Sequence, residues 1–410
     1  MPTAAAWWHG WSRDDWDRLA GAVAAGHIIE CGPQAMGGNF SGFTELPPAI
    51  RLGFPIAEIA SDGSAVITKR ADEAGAVTVD TVTAQLLYEI QGTRYLNPDV
   101  VLHVDSLRLT QEGPDRVAVT GAIGSPAPDT TKVGCFYPNG HRCVLWAFAT
   151  GLDVDAKVDW LETQLRSVVE TLELDDFRYT PCGQPVADPA TLGEATIAIR
   201  IAAAAQDPRQ LGRLLAGYSS FGLGGIPGFH GEIGGATTSQ RVEYWPGVIR
   251  QAEIRQRAVL DDGRVIDIEL PPTEAFQGQP AADAGAARRP IADEESCRVP
   301  LGLLAHARSG DKGGNSNLGV WARRPDAREW LKAFLTADEV HRLLACPEDV
   351  TVERFVLDEI GGVLFVLRNY FGASGTGNIG LDQIGKSVGE FLRAKVVDVP
   401  ARLVNAPRDA

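Results

Sequence analysis

The stretch PPTEAFQGQPAADAGAARRPIADEES, from residue 271, is rich in Ala, Pro and charge and shows neither helical nor strand periodicity. Such a composition buries too little apolar surface to offset its ordering entropy, so it reads as a linker over 271–297. A chain of 410 residues is long enough for two ordinary domains, and the linker predicts them at 1–270 and 298–410. Charge follows the same division. Residues 298–410 hold 15 basic and 14 acidic side chains, whereas 1–297 hold 23 basic and 39 acidic. The net charge of −15 argues against a nucleic-acid binder or adhesion to an anionic membrane. No run approaches the ~20 apolar residues of a spanning helix, and the N-terminus lacks a signal-peptide pattern. A cytoplasmic location is expected. Cys31, Cys135, Cys143, Cys182, Cys297 and Cys346 are scattered without metal-site spacing and read mostly as buried free thiols.

In the first domain, Ser12 and Asp15 suggest a capping-box start for SRDDWDRLAGAV. Residues 65–69, 101–109, 116–123 and 195–204 read as strands, and 81–90 as a helix with Val82, Leu86, Leu87 and Ile90 on one face. The longest helix, after Asp153, places Val154, Val158, Leu161, Leu165, Val168 and Leu172 at three- and four-residue steps. In the second domain, VPLGLLAHA, NLGVWAR, TVERFVL and GVLFVLRNY read as strands, the last a central one. DAREWLKAFL, TADEVHRLL (capped by Thr336 and Glu339) and IGKSVGEFLR read as helices. The fold class is α/β or α+β: a mixed-sheet first domain followed by a small α+β ferredoxin-like sandwich.

Three glycine-rich clusters carry the candidate chemistry. In ECGPQAMGGNFSGF (30–43), Gly37, Gly38 and Gly42 would free the backbone to approach a ligand while Asn39 and Ser41 offer hydrogen bonds. A tight turn using glycines for positive φ is the competing explanation. Cys31 lies in this turn. FGLGGIPGFHGEIGGATTS (221–239) carries His230 and Glu232, which share a face if the segment is extended; a mobile surface loop is the alternative. The densest cluster is HARSGDKGGNSNLG (306–319), at the end of an apolar strand. Here His306, Arg308, Asp311, Lys312, Asn315 and Asn317 are interrupted by Gly310, Gly313 and Gly314. Arg308 and Lys312 can meet phosphate or carboxylate, and loop amides can form an anion nest. A plain Asp-Lys surface turn is the alternative. A further Gly/Ser/Thr/Asn loop, 367–382, follows the strongest strand and is expected beside the 306–317 cluster. No GxSxG elbow, HExxH or paired-cysteine pattern occurs. His103 reads as a satisfied sheet histidine, and Trp7, Trp8, Trp11 and Trp16 as a packing stripe or an interface.

The segments CGPQAMGGNFSGF, VTVDTVTAQLLYEI, RYLNPDV, GLGGIPGFHGEIGG and HARSGDKGGNSNLGV together resemble the AtuA family of acyclic terpene utilisation. The resemblance covers nearly the whole chain and implies a ferredoxin-fold-like C-terminal domain and a place in acyl-CoA catabolism. Family members usually carry a further α/β segment before the DDWDRLA stretch. Its absence here suggests a separate subunit, a pared-down domain or a different natural start. The expected activity is a hydratase- or lyase-type step on a branched or isoprenoid acyl thioester, with coenzyme A entering only as part of the substrate and no metal or redox cofactor. Such chemistry needs an acid/base pair and donors for an enolate oxygen. Asp311 or Glu232 would be the base, His306 the second acid/base group, and Lys312, Asn39 and loop amides the donors. His230, Gly313, Gly314 and Asn315 would help hold the ligand. The contrasting reading is a non-catalytic subunit of a larger AtuA-type or carboxylase complex, docked through Trp7–Trp16; a homo-oligomer is also expected.

Overall fold

A computed structural model describes residues 1–47, 51–232, 236–283, 285, 295–372 and 375–405. Residues 1–133, 247–370 and 384–410 form one compact unit, and 134–246 with 371–383 form another. The units therefore cut across the two consecutive domains that composition suggests.

The first unit begins with α1 (Pro2–His9) and α2 (Trp16–Glu30). Helix α2 is buried on almost every side, from Leu19 to Ile28, and its Ala and Gly residues let strands approach closely. Ser12 does not cap it: the Ser12 amide donates to Asp15 Oδ2 at 2.7 Å in a short turn, and the helix starts one residue later. Around it come β1 (Ile56–Ile59), β2 (Ala65–Thr68), α3 (Val79–Leu86), β3 (Arg94–Leu96), β4 (Val100–His103), β5 (Arg108–Gly113), β6 (Arg116–Thr120) and β7 (Ile123–Pro128). They make two sheets, ordered β1-β2-β6-β5 and β3-β4-β7. The expected strands 101–109 and 116–123 each break at a corner, because the chain crosses between the sheets there. A single turn at Val104–Ser106 makes the first crossing, and Gly121, at φ 74°, makes the second.

The second unit is built on β8 (Thr130–Thr150), α4 (Val154–Val169), β9 (Asp176–Cys182), β10 (Thr196–Ala205), α5 (Pro208–Gly224), β11 (Phe229–Gly231) and β12 (Thr237–Arg250). Its sheet runs β11-β8-β10-β9, with β12 also paired to β8. The periodic residues Val154, Val158, Leu161 and Leu165 of α4 do bury against it. The glycine-rich region 221–239 is not one open loop: Phe221–Gly224 finish α5, and Phe229–Gly231 pair with β8. Residues 233–235 lie outside the described residues.

The chain then returns to the first unit through the hairpin β13 (Arg257–Val259) and β14 (Val265–Asp267) and the short β15 (Thr273–Glu274), which pairs parallel with β7. The expected linker is thus bound down along its described part. Gln279 also brackets the Arg94 backbone with two 2.8 Å bonds, and Asp283 pairs with the buried Arg354 at 2.5 Å. Residues 284 and 286–294 are outside the described residues. There follow β16 (Ser296–Pro300), β17 (Ala305–Lys312), β18 (Asn315–Ala322), α6 (Arg328–Phe334), α7 (Ala337–Leu343), β19 (Thr351–Leu357), β20 (Gly362–Arg368), α8 (Val388–Arg393) and β21 (Val396–Pro400). The antiparallel sheet β17-β18-β20-β19 places β20 inside, as its apolar run requires.

This sheet is buried on both faces. Ala305, Ala307, Leu318, Val320, Val363 and Phe365 face the helices α6–α8. The alternate residues Trp321, Leu364, Val366, Phe355 and Leu357 pack with Leu86 and Leu87 at the end of α3. A compositional boundary is therefore not a packing boundary: the N-terminal elements supply the cover for the C-terminal sheet. The closest approach occurs at two strand glycines. A Cβ on Gly319 would lie 2.6 Å from Leu87 Cβ, and one on Gly310 would lie 2.7 Å from the Tyr88 ring. Replacing Gly319 with Ala should destabilise the fold by about 1–3 kcal/mol through overpacking, read as a lowered denaturation midpoint with an unchanged slope.

Candidate functional site

The cluster 306–317 is a β-hairpin and not an open loop. Strand β17 continues through the polar residues to Lys312, and Gly313 and Gly314 are the two central residues of the turn, with Gly313 at φ 61°. Pairing sets His306 opposite Trp321, Arg308 opposite Gly319, Gly310 opposite Asn317 and Lys312 opposite Asn315. Strand alternation thus gathers these eight residues on the face that α3 covers.

Along that face the environment changes from dry to wet. His306 is 1% exposed, with Phe40 and Trp321 rings at 4.7 and 5.6 Å. Its Nδ1 meets Ser41 Oγ at 3.0 Å, and the same oxygen accepts the Ala307 amide at 3.3 Å. Burial first, then the Arg393 charge, pulls the imidazole down to about 3, which keeps His306 neutral near pH 7. Arg308, 5% exposed, donates to Gln34 Oε1 from Nε at 3.0 Å and also from Nη2, with its guanidinium 4.4 Å from the Tyr88 ring centre. Lys312, at the rim, pairs with Glu89. Lys386 Nζ meets the other Glu89 oxygen at 2.8 Å, bonds the Tyr88 hydroxyl and lies 3.8 Å from Asp311 Oδ1.

Tyr88 and Glu89 owe their position to how α3 ends. Glu89 adopts the left-handed conformation, φ 60°, which costs a side-chain-bearing residue about 1–2 kcal/mol. The buried Asn317 secures it: Asn317 Nδ2 donates to Leu87 O at 2.7 Å and its Oδ1 accepts the Glu89 amide at 2.9 Å. Burial would raise the Glu89 carboxyl, but hydrogen bonds from Lys312, Lys386 and Tyr88 outweigh it and hold it at about 2. Burial, reinforced by Glu89, pushes the Tyr88 hydroxyl far up and keeps it protonated. Asp311 is raised, chiefly by burial, against the pull of Lys386. Asn315 donates to Gln91 Oε1 at 3.0 Å and accepts the Asn369 amide at 3.0 Å, so the end of β20 does lie beside the hairpin turn. Residues 373–374 of the following loop lie outside the described residues.

The 30–43 segment serves as a lid on the buried end of this face. It forms a short 3-10 turn, Gly32–Met36, tied to α3 by Thr81 Oγ1 donating to Ala35 O at 2.9 Å. Gly37 (φ 100°), Gly38 and Asn39 (φ 54°) reverse the chain after it, and the Asn39 side chain is exposed. The glycines here build a turn, and Gln34 and Ser41 hydrogen-bond to the charged face. The Cys31 thiol donates to Glu30 Oε2 at 3.0 Å and is pushed up, first by burial and then by Glu30. All six cysteines are free.

His230 and Glu232 belong to the second unit and both are exposed; the His230 ring stacks on Phe148 at 4.8 Å, its cross-strand partner. Of the tryptophans, Trp7 and Trp8 are 82% and 75% exposed, whereas Trp11 is buried and donates to Ser61 O at 2.9 Å. His103 meets Ser125 Oγ at 3.1 Å within its sheet. Sequence reasoning missed Gln34, Tyr88, Glu89, Gln91 and Lys386. The one local signal was a Tyr-Glu pair where an apolar helix face should have continued. Among the described residues, no helix is long and apolar enough to cross a membrane.

Two buried histidines give the fold a pH dependence. Burial lowers both His27 and His306 from an ordinary value of 6.5. The unfolded chain therefore binds these protons first, and stability is complete above about 6.5 and is lost as pH falls toward 3. His306→Asn should flatten the loss of denaturation midpoint measured between pH 7 and pH 5.

Residues 1–260 match the model of the acyclic terpene utilisation family protein AtuA, and residues 299–398 match the AtuA ferredoxin-like domain. No curated protein and no solved structure shows significant similarity. With both halves matched, and with the 306–319 motif forming the hairpin on which the charged face is built, the chain belongs to the AtuA family of acyclic terpene utilisation.

Proposed function

We propose that this chain is an enzyme of acyl-thioester metabolism that carries out a hydratase- or lyase-type reaction on a branched or isoprenoid acyl-CoA. The observation that carries this reading is the half-exposed set Asp311, Lys386, Glu89 and Lys312 at the hairpin end, with Tyr88 beneath it. Asp311, raised by burial and 3.8 Å from Lys386, is the proton acceptor. It takes a proton from the water that adds to the double bond and returns it to the carbon beside the thioester carbonyl, or, in the reverse direction, takes it from that carbon and gives it to the departing hydroxyl. Lys312 and Lys386 stabilise the developing enolate oxygen, and the protonated Tyr88 hydroxyl supplies a further donor. Coenzyme A enters as part of the substrate, and the step draws on no redox or metal cofactor. Neither Glu232 nor Asn39 has a role in this reading.

Thermal shift of the whole chain with a panel of acyl-CoA esters and free CoA tests the reading. A ligand at a hundredfold its dissociation constant stabilises by about 2.7 kcal/mol, and no shift with any thioester would sink it. Once a substrate is found, Asp311→Asn should lower kcat by about 10²–10⁴-fold, and Lys312→Ala should weaken turnover as well. Full activity in both variants rules out this assignment.

Exposed Trp7 and Trp8 favour a second reading, a subunit that completes a larger assembly or a homo-oligomer. Light scattering decides it: Trp7→Ser with Trp8→Ser should halve the particle mass or lower it further, and an unchanged mass with a monomeric parent removes self-association.

A further inference from the structure

Arg308 is a buried cation of the first unit. Its side chain is buried within β17, yet the group holding it is neutral, the Gln34 amide oxygen, with the Tyr88 ring against its face at 4.4 Å. Among the described residues no carboxylate lies within ion-pair distance of it. Buried charge is normally paired, because removal from water is repaid only by a close counter-ion. A guanidinium offers five N–H donors in a planar fork. Gln34 takes the edge formed by Nε and Nη2, which leaves the terminal edge formed by Nη1 and Nη2. That edge matches the two oxygens of a carboxylate or phosphate.

The surroundings agree in sign. Lys386 Nζ lies 4.2 Å from the centre of the same Tyr88 ring. Among the described residues, Arg308 and Lys386 lie against this ring, Glu89 beside it meets Lys312 and Lys386, and Asp311 is 3.8 Å from Lys386. Glu89 is engaged by both lysines and Asp311 by Lys386, and neither carboxylate forms an ion pair with Arg308. The Cys31 thiol, which also faces Arg308, is kept neutral by burial. At the rim, the buried Gln91 Nε2 is a further donor with no acceptor among the described residues.

We propose that Arg308 and Lys386 frame a subsite for an oxyanion carried by the ligand, a carboxylate or a phosphate, whose charge completes a pairing the chain leaves open. The acyl-thioester reading bears on it only in naming the source. A carboxylate would belong to the acyl part, making the substrate a carboxylated acyl thioester. A phosphate would belong to the carrier.

Three probes separate these sources in thermal-shift titrations of the whole chain: glutarate, inorganic phosphate and crotonyl-CoA, a thioester without a free carboxylate. Glutarate or phosphate should raise the melting temperature of the parent, and whichever does so identifies the source. Arg308→Gln and Lys386→Gln should each weaken that anion by about tenfold to a hundredfold, the worth of a charged hydrogen bond. Ligand-free Arg308→Met should melt no lower than the parent, because it removes an unpaired buried charge. Anion binding through Arg308 without any response to crotonyl-CoA supports the subsite and counts against the thioester reading. Equal binding of crotonyl-CoA by the parent and Arg308→Gln, with no response to either anion, overturns the subsite and leaves the thioester reading standing. A lower melting temperature in both Arg308 variants with unchanged anion affinity makes Arg308 structural and overturns it too.

Discussion

The packing of Leu87, Tyr88 and Glu89 onto one face of the β17–β18 hairpin is the contact on which the rest of the first unit depends. A sheet that is apolar on both sides must be covered on both sides, and its own helices cover only one. The end of α3 supplies the second cover. That requirement explains why Gly310 and Gly319 stand in mid-strand, where a side chain would collide with Tyr88 or Leu87. It also explains why a fully buried asparagine, Asn317, is tolerated: both of its polar ends are used on the turn that ends the helix.

The same contact sorts the polar residues of β17 by depth. Two-residue steps along the strand carry the side chains from a packed interior to the solvent edge. His306 at the inner end is neutral and serves packing, Arg308 is buried but charged, and Lys312 at the outer end meets Glu89 in partial contact with water. Asp311, Lys386 and Glu89 gather at the outer, half-exposed end. The inner end provides rigidity and one fixed positive charge. Placing a charge on a dry, rigid strand strengthens its interaction with a ligand anion, since little water remains to screen it.

Much of this was legible in the residues. Apolar alternation and turn chemistry located most helices and strands, including α4, α6, α7, β10, β19 and β20, and Thr336 caps α7 through the Glu339 amide as its spacing requires. The density of polar groups at 306–317 marked the hairpin on which the charged face is built. The glycines were harder to interpret. In 30–43 they shape a turn, in 306–319 some form a hairpin turn and one admits an aromatic ring, and composition alone does not distinguish these uses. The breaks at Val104–Ser106 and Gly121 were likewise hidden, because a chain that changes sheets keeps its apolar alternation on both sides of the corner.

The amino-acid order was sufficient to set the local periods, the charge of each segment, the position of the polar hairpin and membership of the family, since all of these depend on neighbours in sequence. Which residues meet at the site was settled only by tertiary packing. Gln34, Tyr88, Glu89 and Lys386 come from three segments separated by up to several hundred positions, and each is unremarkable in its own context. They converge because a two-sided sheet needed a second cover, and the segment that provides it ends in a tyrosine and a glutamate.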